Sequence, residues 1–211
     1  MLNFQEFFTV CVGKWKIERT YHYLLAEQVE KSYTEYDVTT LELAQKQQIL
    51  SISALNGIKV DLARVDANSS LPGFAIAFNT RSETGETLSM SLQALFVPDT
   101  YVTSDTVIQE IPPPTAAAAD STAETIRGFY LRDEGYSEAG AIAGRFTYQP
   151  TRQTLEMTTY YKRSVAVDQM RIVTPDLRLR TIITYQRPAN IEEPPSIIDL
   201  VGFGVERKQP A

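Results

Sequence analysis

Between Asp168 and Thr184 the chain runs DQMRIVTPDLRLRTIIT. Two extended runs meet at Thr174-Pro175-Asp176, where proline presets a turn and aspartate bonds the local backbone. Beyond the turn, Arg178 and Arg180 stand two residues apart. In a strand that spacing places both guanidiniums on one face, together with Ile182 and Thr184. Leu177, Leu179, Thr181, Ile183 and Tyr185 form the other face. Two architectures satisfy the pattern. A sheet with one wet face buries the leucines and leaves the arginines in water, because charged residues are seldom buried unpaired. A closed sheet around a wet cavity turns the arginines inward to an anionic ligand, because a rigid fork of donors suits a carboxylate.

The flanking sequence favours many short strands. Phe4, Phe7, Phe8 and Cys11 recur at helical spacing before Gly13, which predicts a short apolar helix that packs on a sheet or plugs one end of a barrel. Trp15 to Tyr23 is β-prone; Trp15, Ile17, Arg19 and Tyr21 share one face, and Lys16, Glu18, Thr20 and His22 the other. Residues 32–43 alternate as a strand, and residues 44–55 form a second short helix that ends at Asn56-Gly57. Strands follow over 73–80, 88–97, 128–132, 143–148, 153–163, 165–173, 177–187 and 198–208, giving about eight to ten at regular spacing. The expected fold is mainly β: an antiparallel barrel with an N-terminal helix and one further short helix. A barrel of this size can hold one small ligand. The chain reads as a single domain, residues 1–211, with an exposed, mobile Pro/Ala-rich loop over about 110–124.

Composition excludes several classes. Net charge is −6 and the isoelectric point about 4.9, against nucleic acid as a partner, which needs a basic surface. No apolar run approaches the roughly 20 residues of a membrane span. Cys11 is the only cysteine and His22 the only histidine. No disulfide can close within the chain, a reducing compartment is expected, and no His/Cys metal set exists. A cysteine on an apolar helix face reads as a small core residue.

Four segments, taken in order, resemble the S-type phycobiliprotein lyases, the CpcS/CpeS chromophore lyase family. They are Gly13-Lys14-Trp15 with Arg19-Thr20-Tyr21-His22; Arg132-Asp133-Glu134-Gly135-Tyr136 with Ala143-Gly144-Arg145-Phe146; Met170 to Thr181; and Phe203-Gly204-Val205-Glu206-Arg207. Phe78 stands where the family pattern has a tryptophan, and the Pro/Ala-rich loop looks like an insertion. The resemblance implies a lipocalin-like, fatty-acid-binding-protein-like barrel. It also implies a bilin as substrate (phycocyanobilin or phycoerythrobilin), with no permanently bound cofactor. Apo-phycobiliprotein subunits would be the partners, with a homodimer or a second lyase subunit compatible. The implied location is a cyanobacterial cytoplasm or the plastid stroma.

A bilin carries two propionates, four pyrrolic nitrogens and a long π-system. Arg19, Arg145, Arg178 and Arg180 are the propionate candidates, Arg180 first. Glu206 is expected to bind pyrrole N–H groups, with Gly202 and Gly204 beside it leaving room for the ligand. Phe78 is a candidate wall of the pocket. Addition of a thiol across the bilin double bond needs positioning and a proton; His22, Asp168 and Glu206 are the candidate catalytic groups. Three other readings fit the same fold: a bilin carrier that does not transfer, a binder of another hydrophobic ligand such as a fatty acid, and a non-catalytic assembly factor.

Overall fold

The computed structural model describes residues 1–55, 57–65, 71–106, 111–117, 125–136 and 138–210, apart from the side chains of residues 54 and 55. Its α-helices are α1 (Phe4–Cys11) and α2 (Leu43–Leu55). Its strands are β1 (Gly13–Tyr23), β2 (Gln28–Thr40), β3 (Gly73–Ser82), β4 (Thr87–Pro98), β5 (Ile126–Arg132), β6 (Ile142–Gln149), β7 (Thr154–Tyr160), β8 (Ser164–Thr174), β9 (Leu177–Gln186) and β10 (Ile198–Lys208). Each strand pairs antiparallel with the next in sequence, and β1 pairs with β10, so the sheet closes into an up-and-down barrel. Closure leaves none of the ten described strands with a free edge.

Strand parity sorts the side chains into an interior and an outer face. Inside, Trp15, Ile17, Tyr36, Val38, Phe74, Phe96, Phe146, Tyr148, Leu155 and Met170 form one cluster with Phe4, Phe7, Phe8 and Cys11 of α1. The first helix therefore plugs one end of the barrel. Asn3 and Glu6 form a capping box at its start, which satisfies two of the free N–H groups there. At its end, Trp15 Nε1 donates to the Cys11 carbonyl over 2.9 Å and Lys208 Nζ to that of Val10 over 3.0 Å. Gly13 makes the helix-to-strand corner at φ +121°, a conformation that suits glycine alone.

Outside, Ile49 of α2 packs with Leu41, Leu95, Val97, Phe129 and Leu131. Where it is described, the Pro/Ala-rich segment has Pro113 and Thr115 exposed and the rest half-buried or buried. Residues 111–117 lie against β7, β8 and β9. The Tyr185 hydroxyl accepts from the Ala116 N–H at 3.1 Å, and Gln169 Nε2 donates to the Ala116 carbonyl at 3.3 Å. Polar side chains on the outer face thus satisfy the backbone of a proline-stiffened segment, and Pro114 is buried. The rest of that loop lies outside the described residues.

Candidate functional site

Along the barrel axis the interior changes from apolar to polar. Beyond the aromatic cluster at the α1 end, the inward positions carry Arg19, Ser32, Thr34, Thr80, Arg132, Asp168 and Arg180. Parity follows from the pairing register: Arg180 stands opposite Gly204 and Met170, and Arg178 opposite Glu206 and Ile172. Of the two architectures compatible with the LRLR run, the closed one holds. Arg178 is 2% exposed, whereas Leu179 is 42% exposed on the outer face.

Arg178 and Glu206 form a buried ion pair. Arg178 Nε lies 2.8 Å and Nη2 2.6 Å from Glu206 Oε2. The Tyr36 hydroxyl donates to the same oxygen and accepts from Arg178 Nη2. The Arg178 guanidinium stacks 3.7 Å from the Trp15 ring centroid. Beside this pair, Arg180 grips Asp168 with Nε and Nη2, the former at 2.8 Å, while its Nη1 lies 3.6 Å from Glu206 Oε1. Burial pushes the Glu206 carboxyl up, but the Arg178 and Arg180 guanidiniums outweigh it and hold the group below its ordinary value. Burial, reinforced by Glu206, pushes the Tyr36 phenol up, so Tyr36 keeps its proton.

Among the described residues, four buried side-chain atoms lack a hydrogen-bond partner: Arg19 Nε, Ser32 Oγ, Arg132 Nε and Glu206 Oε1. All four belong to inward-facing residues. Each buried polar atom left unpaired calls for an explanation, and four in one chamber share a simple one, a polar ligand.

Of the residues singled out in sequence, the interior gathers Arg19, Phe78, Asp168, Arg178, Arg180 and Glu206. Phe78 lies 6.1 Å from Tyr136, ring to ring. His22 and Arg145 stand outside the barrel, and parity is the reason. His22 alternates with the inward Tyr21, and its ring meets the exposed Phe203 at 6.1 Å. Arg145 alternates with the inward Phe146, pairs with Asp99 at 2.7 Å and stacks over Phe129 at 4.3 Å. The room expected over the glycines of β10 is taken. A Cβ on Gly204 would come within 2.7 Å of Ile17 Cδ1, and one on Gly202 within 2.8 Å of the Tyr21 ring. Cys11 is buried in the core, and burial raises its thiol pKa. Sequence reasoning passed over Tyr36 and Arg132. For Arg132 the signal was present, since it alternates with Tyr130 on a strand whose other face, Phe129 and Leu131, is apolar.

No described residues form a group of three or more His, Cys, Asp or Glu side chains able to hold a metal ion. No described helix is long and apolar enough to cross a membrane.

A closed barrel, sealed at one end and lined with paired and unpaired charges toward the other, defines a ligand-binding β-barrel protein. The model of the CpeS-like protein family matches residues 3–106 and 114–208. The gap between the two matches falls in the Pro/Ala-rich region. The chain is 38% identical over 206 residues to chromophore lyase CpcS/CpeS 1 of Synechococcus sp. (strain JA-3-3Ab), covering 98% of this chain and 96% of that one. It is 25% identical over 180 residues to chromophore lyase CpcS/CpeS 2 of Trichodesmium erythraeum (strain IMS101), covering 85% and 78%. In three dimensions it matches the S-type phycobiliprotein lyase CPES from Guillardia theta with TM-score 0.64 and 19% identity, covering 100% of this chain and 94% of that one; this likeness bears on the fold. The chain belongs to the CpeS-like family.

Proposed function

We propose that the protein is a bilin lyase. It binds a linear tetrapyrrole without a covalent bond in the polar half of the barrel and delivers it to a cysteine of an apo-phycobiliprotein subunit. The carrying observation is the set of buried atoms without a hydrogen bond, guanidinium donors at Arg19 and Arg132 and a carboxylate acceptor at Glu206. A bilin supplies the complements, propionates for the donors and pyrrolic N–H groups for the acceptor. Arg180 and Arg19 hold a propionate, Arg178 keeps Glu206 charged and oriented, and Phe78 lies against the π-system. Asp168 is the one of the three candidate proton donors that is inward-facing and not enclosed by the core. His22 faces outward, and Glu206 is fully buried beneath Arg178 and Arg180, whereas the Asp168 carboxylate, held by Arg180, is part exposed.

In the reaction the acceptor's thiolate attacks the exocyclic ethylidene carbon of ring A. A carbon–sulfur bond forms, the double-bond pair moves into the ring, and a proton adds to the ring carbon. The net change is addition of S–H, with nothing oxidised or reduced. The acceptor supplies the nucleophile, so the lyase needs none, in keeping with a buried Cys11. The barrel contributes orientation and exclusion of competing water. Phycocyanobilin or phycoerythrobilin is the substrate, and a second copy or another lyase subunit is compatible with the scheme. The setting is the compartment where phycobiliproteins mature, a cyanobacterial cytoplasm or a plastid stroma.

The test is reconstitution. Purified protein is mixed with phycocyanobilin or phycoerythrobilin, apo-subunits are added, and adducts are followed by absorbance and by zinc-enhanced fluorescence after denaturation. A shifted complex followed by a covalent adduct on the subunit is expected. A complex with no adduct on any subunit would leave a carrier, and no spectral change with either bilin would sink the reading.

A further inference from the structure

Arg132, at the end of β5, is 2% exposed. Its guanidinium carbon lies 4.5 Å from the Tyr136 ring centroid, 5.3 Å from that of Tyr130 and 5.8 Å from that of Tyr161. Nη2 donates to the Tyr161 hydroxyl at 2.7 Å, while Nε has no partner. No ion pair with a described residue is found for it. Burial pushes the Tyr130 and Tyr161 phenols up, so both are neutral and neither supplies a counter-charge. A buried cation is costly unless something pairs with it. Three rings soften that cost through their faces but leave the charge uncancelled.

The rest of the chamber shows what is missing. Arg178 and Arg180 have Glu206 and Asp168. Among the described residues neither Arg19 nor Arg132 has a carboxylate ion pair of its own, and Glu30 nearer the rim bonds to the Tyr23 hydroxyl. Among the described residues two inward guanidiniums thus lack an ion-pair partner, on β1 and on β5. In the order of strands around the barrel these lie four apart in one direction and six in the other, so they stand on nearly opposite walls. A molecule with two separate carboxylates would neutralise both.

We propose that Arg132 is a second carboxylate anchor, taking one propionate of the tetrapyrrole while the other goes to the Arg19 and Arg180 wall. This rests on the bilin reading above and deepens it: the ligand is held at two points across the chamber, which fixes the direction in which ring A points. Tyr136 is 47% exposed and lies over Arg132 on one side and near Phe78 on the other. In the proposed complex it covers the anchor, and the incoming carboxylate displaces it.

The experiment is an absorbance titration of the full chain with phycocyanobilin and with its dimethyl ester, for the wild type and for Arg132→Gln. The wild type should bind the acid more tightly than the ester. Arg132→Gln should weaken binding of the acid about tenfold or more, the scale of one lost charge-assisted hydrogen-bond pair, and leave the ester unchanged. Equal weakening of both ligands, or of neither, overturns the anchor. Failure of the wild type to bind either ligand overturns the bilin reading itself, a separate outcome. If Arg132→Gln does not fold, as judged by the emission of Trp15 and a cooperative melt, Arg132→Lys carries the test. It keeps the charge and loses the fork, so it should lose severalfold for the acid and nothing for the ester; a loss shared by both ligands again overturns the proposal.

Discussion

Glu206 has one carboxylate oxygen held by the Tyr36 hydroxyl and two nitrogens of Arg178, and another oxygen held by no hydrogen bond. The first oxygen ties β10 to β2 and β9, and the second, 3.6 Å from Arg180 Nη1, is the one proposed above to accept from a pyrrole N–H. Glu206→Gln leaves Arg178 and Arg180 buried with one carboxylate fewer. Loss of one partner from a buried pair costs about 3 kcal/mol or more. In a chain of this size that corresponds to a fall of roughly 6–12 °C in melting temperature, readable by calorimetry. The pH dependence has a definite sign. In the folded chain the carboxyl binds its proton less readily than the ordinary value of 4.5. Its stabilisation is therefore complete above that value and drains away as pH falls through the lower folded value. Denaturant midpoints should show a steeper acid-side loss for the wild type than for Glu206→Gln; identical slopes would mean that the pair is not what acid breaks.

At the scale of elements, the segment over residues 111–117 behaves as a strap on the outer face. Its clasp is Tyr185, whose hydroxyl meets both Thr115 Oγ1 at 3.3 Å and the Ala116 N–H at 3.1 Å. Tyr185→Phe keeps the buried ring and deletes both contacts. A cost of about 1–2 kcal/mol is expected, with faster cleavage of the strap in limited proteolysis and unchanged bilin affinity, because Tyr185 faces away from the chamber. The strands themselves were largely legible. Period-two alternation and turn residues located the barrel's strands, and the 3.6-residue spacing of Phe4, Phe7, Phe8 and Cys11 located α1. Alternation defines two faces without saying which is inside, so the orientation of the LRLR run waited on barrel closure. Parity also contained corrections that were not drawn. Arg145 beside Phe146 and Tyr148, and His22 beside Trp15, Ile17 and Tyr21, belong to the face opposite those residues. The pairing of Arg178 with Glu206 depends on the register between β9 and β10, which no local pattern encodes. Tyr36 joins them from β2, 142 residues away in sequence from Arg178, and only closure brings it there.

The whole molecule has two unlike ends. One is stopped by α1, with Phe7 buried among the core aromatics. The other carries the turns after β1, β3, β5, β7 and β9, and the inward charges Arg19, Arg132, Asp168 and Arg180 lie toward it. An acceptor cysteine must reach ring A from that second end, because the plugged end offers no path through close-packed rings. The turn after β1 presents Leu24 and Leu25, 47% and 59% exposed. Adjacent exposed leucines at a rim suit a transient protein contact, in which a few apolar side chains carry most of the energy. Leu25→Glu should therefore lower kcat/KM for the acceptor subunit about fivefold to tenfold, the effect of losing roughly 1 kcal/mol or more at an interface. The bilin dissociation constant should not change, since Leu25 projects from the turn and not into the chamber. Lys14→Glu, a change at another exposed residue beside the plug, should alter neither quantity. Transfer kinetics at saturating bilin separate the cases. If Leu25→Glu transfers at the wild-type rate, the acceptor does not touch this turn; if Lys14→Glu is the slow variant, the acceptor docks at the wrong end for delivery through the mouth, and the bilin must leave the barrel before the thioether forms.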